Sequence, residues 1–327
     1  MRMRTADLRV IIPTWNRGQA LIECVDSLRR QTVLPKEVVV VDDGSTDDSS
    51  DLISTWQKDN PDVPLRYQFQ ENSGPAIARN RGAVDATTEW LAFLDSDDLW
   101  PEDFIERFVD RQMAVPEADC FIFDIRDDFY SDDQVIRSNF RSNARFESDT
   151  LHSLFSFGHP GTPALVVRRS VFERSGGFAE FAYYGEDLML FLKLGFLGRW
   201  VHCSGEPVER RILDRPEGSL RRRPKFERDL RNALTYLSAH QWAEREVPDL
   251  TNLHSILLRR VLAAEAGLFL TNTAFPEELK ALRSDLGLMS ISGRIRLLCL
   301  LSKLCLRRVL KSDQFVEVDP SPYFLSS

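Results

Sequence analysis

Paired cysteines, spaced histidines and long apolar runs are all missing from this chain. Its cysteines, Cys24, Cys120, Cys203, Cys299 and Cys305, are odd in number and scattered, with no CxxC pair. That argues against a disulfide framework or a thiolate zinc site and favours a reducing cytosol. The histidines (His152, His159, His202, His240, His254) show no metal-ligand spacing. Neither a Gly-x-Ser-x-Gly elbow nor a P-loop is present, so a catalytic triad has no local support. No apolar run approaches the roughly 18 residues that span a bilayer, and residues 1–7 lead into a strand pattern without an apolar leader. The expectation is a cytoplasmic protein, at most peripheral at the inner face of the membrane.

Charge is what the chain has in uneven supply. The net charge is −8, yet residues 225–327 carry 14 Lys/Arg against 12 Asp/Glu, which leaves 28 against 38 in residues 1–224. An acidic main body argues against nucleic acid as principal partner. It suits a metal that bridges protein carboxylates to an anionic ligand.

Short apolar runs alternate with amphipathic stretches over the first 125 residues. Strands are expected at 8–12, 37–41, 65–69, 90–94 and 120–125, and helices at 19–30, 46–58, 75–86 and 101–113. Such alternation implies right-handed βαβ units and a largely parallel sheet. Residues 126–160 read as a loop with one hairpin. Order resumes with a strand at 164–167, a short helix near 170–174, a helix at 186–197 and a strand at 200–203. Beyond residue 224 the period becomes wholly helical, at about 226–239, 250–269, 277–286 and 292–311, which marks a boundary.

Carboxylates gather where strands end. Asp95-Ser96-Asp97-Asp98 directly follows the apolar run Trp90-Leu91-Ala92-Phe93-Leu94. Three acids leaving the core together repel one another unless a cation lies between them, and a divalent metal takes hard oxygen ligands. Asp42-Asp43-Gly44-Ser45 ends another strand, where carboxylates can accept from a base or ribose; an acidic turn capping the next helix is equally consistent. Asn72-Ser73-Gly74-Pro75 opens a helix bearing Arg79 and Arg81, which cannot share a face; one of them can balance a pyrophosphate. Gly185-Glu186-Asp187 precedes an apolar helix, whose dipole favours ionised carboxylates.

In this order the motifs resemble glycosyltransferase family 2, inverting enzymes of the GT-A fold. The matching segments are Val10-Ile11-Ile12-Pro13-Thr14-Trp15-Asn16-Arg17, residues 37–45, 72–82, 94–101 and 168–180 with Gly176-Gly177-Phe178, and residues 185–193. The resemblance implies an α/β GT-A fold, a Rossmann-like, mostly parallel sheet flanked by helices. The catalytic domain would span 1–224, with a donor half at about 1–125 and an acceptor half at about 126–224; a C-terminal helical region would occupy 225–327. It further implies a nucleotide-sugar donor, UDP-linked by preference with dTDP or GDP as alternatives, and Mn²⁺ or Mg²⁺ held by Asp95 and Asp97, with Asp98 able to share. Pro13, Thr14, Asp43, Arg79, Asp95 and Ser96 would contact the nucleotide. Asp187 would be the general base, and Glu186 would contact acceptor or orient the site. The acceptor would be a glycan or lipid-linked hydroxyl in cell-surface polysaccharide or glycan synthesis.

One departure stands out. Relatives often carry a His shortly before a Gly-Ser-Leu segment after the base; here Arg210-Arg211-Ile212-Leu213-Asp214 precedes Gly218-Ser219-Leu220 with no His. Asp214 is a candidate substitute, and the arginines are candidates for gripping diphosphate. Residues 291–310 carry Arg294, Arg296, Lys303, Arg307 and Arg308 beside many leucines and no acid. Such a helix lies on an anionic membrane or packs on the catalytic domain or a partner subunit, and packing is the commoner fate of a leucine-rich face. Two competing functions are a sugar-phosphate nucleotidyltransferase and a non-catalytic sugar-binding relative. The first lacks its Gly-rich basic loop after the first strand, and the second leaves the carboxylate set without a purpose.

Overall fold

Eight strands form one mixed sheet in the computed structural model, which describes residues 4–131, 134–148, 150, 153, 159–180 and 186–212. In chain order these are β1 (Thr5–Thr14), α1 (Gly18–Arg29), β2 (Leu34–Asp43), α2 (Ser49–Asp59), β3 (Leu65–Gln70), α3 (Pro75–Ala83), β4 (Trp90–Phe93) and α4 (Phe104–Ala114). There follow β5 (Cys120–Ser131), β6 (Gln134–Arg141), α5 (Arg145–Ser148), β7 (Leu165–Arg168), α6 (Arg169–Arg174), α7 (Glu186–Leu197) and β8 (Trp200–Ile212). The boundary near 224, the four C-terminal helices, Asp214 and the Gly218-Ser219-Leu220 segment lie outside the described residues.

The strand order is β3-β2-β1-β4-β7-β5-β6, with β8 beside β5. Strands β1 to β4 pair in parallel, as do β5 and β8, whereas β7 runs antiparallel to both β4 and β5. The parallel half therefore delivers the ends of β1, β2, β3 and β4 to one edge, the usual ligand edge of an open α/β sheet. The antiparallel β7 joins it to the second half without a gap.

Alternation along β1 explains the layers. Leu8, Val10 and Ile12 bury one face against Leu21, Cys24, Val25 and Leu28 of α1, Ile53 and Trp56 of α2, and Phe104 and Phe108 of α4. Val39 and Val41 of β2 point the other way, onto Ala78 of α3. Phe93 packs on Phe172 of α6 and on Phe178, with ring centroids 5.3 and 5.0 Å apart. Both faces of β1, β2 and β4 are thus covered, which is why they read as continuous apolar runs, whereas the edge strand β3 is more exposed and mixed in composition.

Local chemistry moves several expected boundaries. Helix α2 starts at Ser49 rather than 46, because Asn16 Oδ1 takes the Thr46 and Asp47 amides at 2.8 and 3.3 Å. The hairpin expected in 126–160 is β5–β6. Strand β8 runs on to Ile212, nine residues past the expected end at 203. Gly205 at φ +137° and Pro207 interrupt its alternation and resemble a turn, yet pairing with β5 resumes at Ile125↔Val208.

Candidate active site

At the ends of β1 and β2 the backbone is fastened by its own acids. Asp43 accepts from Gln70 Nε2 (2.7 Å), Ser73 N (2.8 Å) and Gly74 N (2.8 Å). It therefore holds the turn that opens α3. Asp42 accepts from Ser45 N (2.7 Å) and Tyr67 Oη (2.5 Å). Gly44 sits between the acids and Ser45 at φ +81°, and a Cβ there would lie 2.8 Å from Asn72 N. Pro13 and Thr14 lie opposite Val41 and Asp42. Two buried oxygens at this edge, Thr14 Oγ1 and Gln70 Oε1, have no hydrogen-bond partner among the described residues, an arrangement that costs free energy until a ligand supplies one.

Arg79 connects the two halves of the site. Its guanidinium donates to Asp95 Oδ1 at 2.6 Å and to Glu186 Oε1 at 3.1 Å, and lies 5.2 Å from the centroid of Phe178. Burial works against its charge, but Asp95 and Glu186 outweigh that and hold its pKa above the ordinary value. Asp97 faces Arg17 at 3.5 Å. Burial, then the charge of Asp95, pushes the Asp97 carboxyl above the usual range. Ser96 is buried between them. Asp98, 2% exposed, turns inward and accepts from Arg211 N at 2.9 Å. Burial, with Asp95 and Asp97 adding to it, raises its pKa strongly.

Glu186 and Asp187 occupy the first turn of α7. Burial and then the neighbouring Asp187 charge push the Glu186 carboxyl up to about 7, with Arg79 pulling the other way. Asp187 Oδ1 accepts from Leu188 N at 2.6 Å, and Oδ2 lies 3.1 Å from His159 Nε2.

Behind these groups lies a clamp. Asn80, next to Arg79, donates to Phe178 O and accepts from Phe178 N, both at 2.9 Å. Lys193 of α7 donates to Gly177 O at 2.5 Å, and burial alone lowers its pKa to about 8. The Gly177-Phe178 backbone thereby ties α3 to α7, and so Arg79 to Glu186. Gly177 has φ +66°, and a Cβ there would meet Asn80 Oδ1 at 2.6 Å.

Asp43, Arg79, Asp95, Asp97, Glu186 and Asp187 are thus described where their motifs predict, at strand ends and helix starts. The residues that motif reading misses are His159, Asn80 and Lys193; each acts through a contact remote in sequence. Of the two arginines that are candidates for gripping a diphosphate, Arg211 is already engaged by the protein. Arg210 Nε sits 2.8 Å from Asp127 Oδ1. Arg211 donates to Asp97 O at 2.5 Å, pairs with Glu23 and is buried. It therefore braces the Asp97–Asp98 turn against α1.

Asp95 and Asp97 offer two hard oxygen ligands two residues apart at the end of β4, which suits a divalent cation. Among the described residues no group of three or more His, Cys, Asp or Glu is placed to hold a metal. A metal here would accordingly complete its shell from substrate phosphates and water, as Mg²⁺ commonly does. Also among the described residues, no helix is long and apolar enough to cross a membrane.

Known proteins resemble this chain in sequence and in fold. The glycosyl transferase family 2 model matches residues 9–176. An uncharacterized glycosyltransferase of Rickettsia bellii is 28% identical over 252 residues, covering 77% of this chain and 35% of the relative. This chain spans only 17 to 52% of the length of such relatives. Among solved structures, Staphylococcus aureus TarS 1–349 in complex with UDP-GlcNAc has a TM-score of 0.60 at 20% identity, covering 81% of this chain and 74% of that one. The mannosyltransferase PcManGT of Pyrobaculum calidifontis, in complex with GDP-Man and Mn²⁺, has a TM-score of 0.56 at 20% identity over 94% and 88% of the two chains. The fold is of the GT-A type, and the chain belongs to glycosyl transferase family 2.

Proposed function

We propose that the protein is an inverting glycosyltransferase that moves a sugar from a nucleotide-diphosphate donor, UDP-linked by preference, to a hydroxyl of a glycan or lipid-linked acceptor in cell-surface polysaccharide or glycan synthesis. The observation that carries this reading is the Arg79 bridge, which brings Asp95-x-Asp97 and Glu186-Asp187 into one site. Complexes of structural relatives with UDP-GlcNAc, and with GDP-Man and Mn²⁺, support a nucleotide-sugar donor and a divalent cation.

Mn²⁺ or Mg²⁺ between Asp95 and Asp97 would neutralise the donor diphosphate and ease departure of the nucleotide. Pro13, Thr14 and Ser96 line the nucleotide pocket, with Thr14 Oγ1 offering an unused buried hydroxyl. Asp43 shapes it through the Ser73-Gly74 turn. Arg79 supplies fixed positive charge beside the diphosphate, oriented by Glu186. Asp187 takes the proton from the acceptor hydroxyl. That oxygen bonds to the anomeric carbon from one side as the carbon–oxygen bond to the diphosphate breaks on the other. The electron pair leaves on the nucleoside diphosphate, and the configuration inverts.

The test is a panel of nucleotide-sugars with and without Mn²⁺, read by thermal shift and by slow hydrolysis. At least one donor should raise the melting temperature, and Asp97→Asn should abolish the Mn²⁺-dependent part. Asp187→Asn should keep the shift but lose turnover by about 10²-fold or more, the usual range for a missing general base. A wild-type protein that no donor shifts would sink the assignment, and an Asp187→Asn protein with undiminished turnover would sink the mechanism.

A further inference from the structure

We infer that His159 is a positioning residue for the Asp187 carboxylate, a role that rests on reading Asp187 as the base. His159 Nε2 lies 3.1 Å from Asp187 Oδ2, and its ring stacks on Phe191, one turn further along α7, with centroids 5.3 Å apart and planes at 20°. Asp187 Oδ1 is held from the other side by Leu188 N at 2.6 Å. Each carboxylate oxygen thus has one donor, so the carboxylate cannot rotate freely, and each keeps a lone pair for the acceptor proton.

The tautomer follows from the partners. His159 Nδ1 is buried and has no hydrogen-bond partner among the described residues. Of the two tautomers, a proton on Nδ1 would bury an orphan N–H, while a proton on Nε2 meets a carboxylate, so the geometry selects Nε2–H. The Nε2–H donor orients Asp187 from outside the ion pair that Arg79 and Glu186 already form.

The backbone holds the imidazole in place. Pro160 O accepts from Asn143 Nδ2 at 3.2 Å, and Gly161 at φ +103° lies so close to β5 that a Cβ would meet Ile125 Cδ1 at 2.4 Å. His159 is therefore presented to α7 from a segment seated on the second half of the sheet. Placing a reacting group to within about 1 Å governs rates by about 10²-fold, so a fixed donor on the base is a rate device rather than packing alone.

Two variants separate the hydrogen bond from the ring. His159→Phe keeps the stack on Phe191 and removes the donor; His159→Gln restores an N–H donor and removes the stack. With the nucleotide-sugar selected by the donor panel, read as nucleotide diphosphate released to water, His159→Phe should lower kcat about 10–100-fold. Its donor KM should stay within about twofold, and His159→Gln should recover most of the rate. In an Asp187→Asn background His159→Phe should add no further loss. An unimpaired His159→Phe, or a His159→Gln as impaired as His159→Phe, overturns the positioning role while leaving Asp187 as base. A fully active Asp187→Asn overturns the base reading itself. Should His159→Phe fail to fold, ¹⁵N NMR of the wild-type imidazole decides: an Nε2–H signal perturbed by Asp187→Asn supports the role, and an Nδ1–H tautomer refutes it.

Discussion

Glu186 shows how one side chain can couple the site to pH. Its carboxyl is pushed up to about 7, first by burial and then by Asp187, from an ordinary value of 4.5. A folded pKa above the unfolded one means that, between about pH 4.5 and about 7, the native state holds a proton the unfolded chain has released. Stability from this group is therefore greatest at the acid end of that window and falls as pH rises through it. Glu186→Gln stays neutral throughout and should flatten the slope. Melting temperatures taken at intervals from pH 4.5 to 7.5 check this, and an unchanged slope in the variant would count against it. The same substitution keeps a carbonyl for Arg79, so the bridge to Asp95 survives while its charge does not. Among single residues, the places of Asp95, Asp97, Arg79 and Asp187 in the fold were legible because each sits at a fixed offset from a strand end or helix start. His159 was not: 28 residues separate it from Asp187, and no spacing rule connects a loop imidazole to a helix N-terminus.

At the scale of elements, the pairing of α3 with α7 through Gly177 and Phe178 decides whether Arg79 can reach both acids. Gly177→Ala places a side chain at φ +66° and a Cβ 2.6 Å from Asn80 Oδ1. Strain of that kind costs about 1–3 kcal/mol. The variant should melt several degrees lower and should lose donor affinity as well, since Asn80 is adjacent to Arg79. Calorimetry with the preferred donor checks both; lower stability with unchanged affinity would show that α3 is held by other contacts. β1, β2 and β4 of the parallel half were readable because buried parallel strands are continuous apolar runs, and 8–12, 37–41 and 90–94 fall within or just past them. The far end of β8 was hidden because Ser204-Gly205-Glu206-Pro207 has the composition of a turn. Its pairing depends on partners some eighty residues earlier, such as Arg126 against Glu209 and Asp127 against Arg210.

For the molecule as a whole, the antiparallel β7 matters most, because it makes the donor-side strands and the second half one hydrogen-bonded sheet. The spacing between Asp95, after β4, and Asp187, on α7, is then set by strand register and helix packing rather than by a hinge. Order along the chain disclosed the family and the parallel half, but not this junction, since the three apolar residues of β7, Leu165, Val166 and Val167, carry no sign of direction. An acidic body with two converging carboxylates also predicts strong linkage between stability and ligand. At a hundredfold excess over Kd, a nucleotide with Mn²⁺ should add about 2.7 kcal/mol to unfolding. Chelating the metal should remove most of that gain, as differential scanning calorimetry with and without EDTA can measure. Beneath the same floor lies Cys24, whose Sγ is 3.6 Å from Asp95 O and whose thiol is raised well above its ordinary pKa, chiefly by burial. A thiol so placed is inert to alkylation until the ground beneath Asp95 opens. Peptide-resolved labelling of Cys24 would thus time that opening directly, and a bound nucleotide should slow the clock.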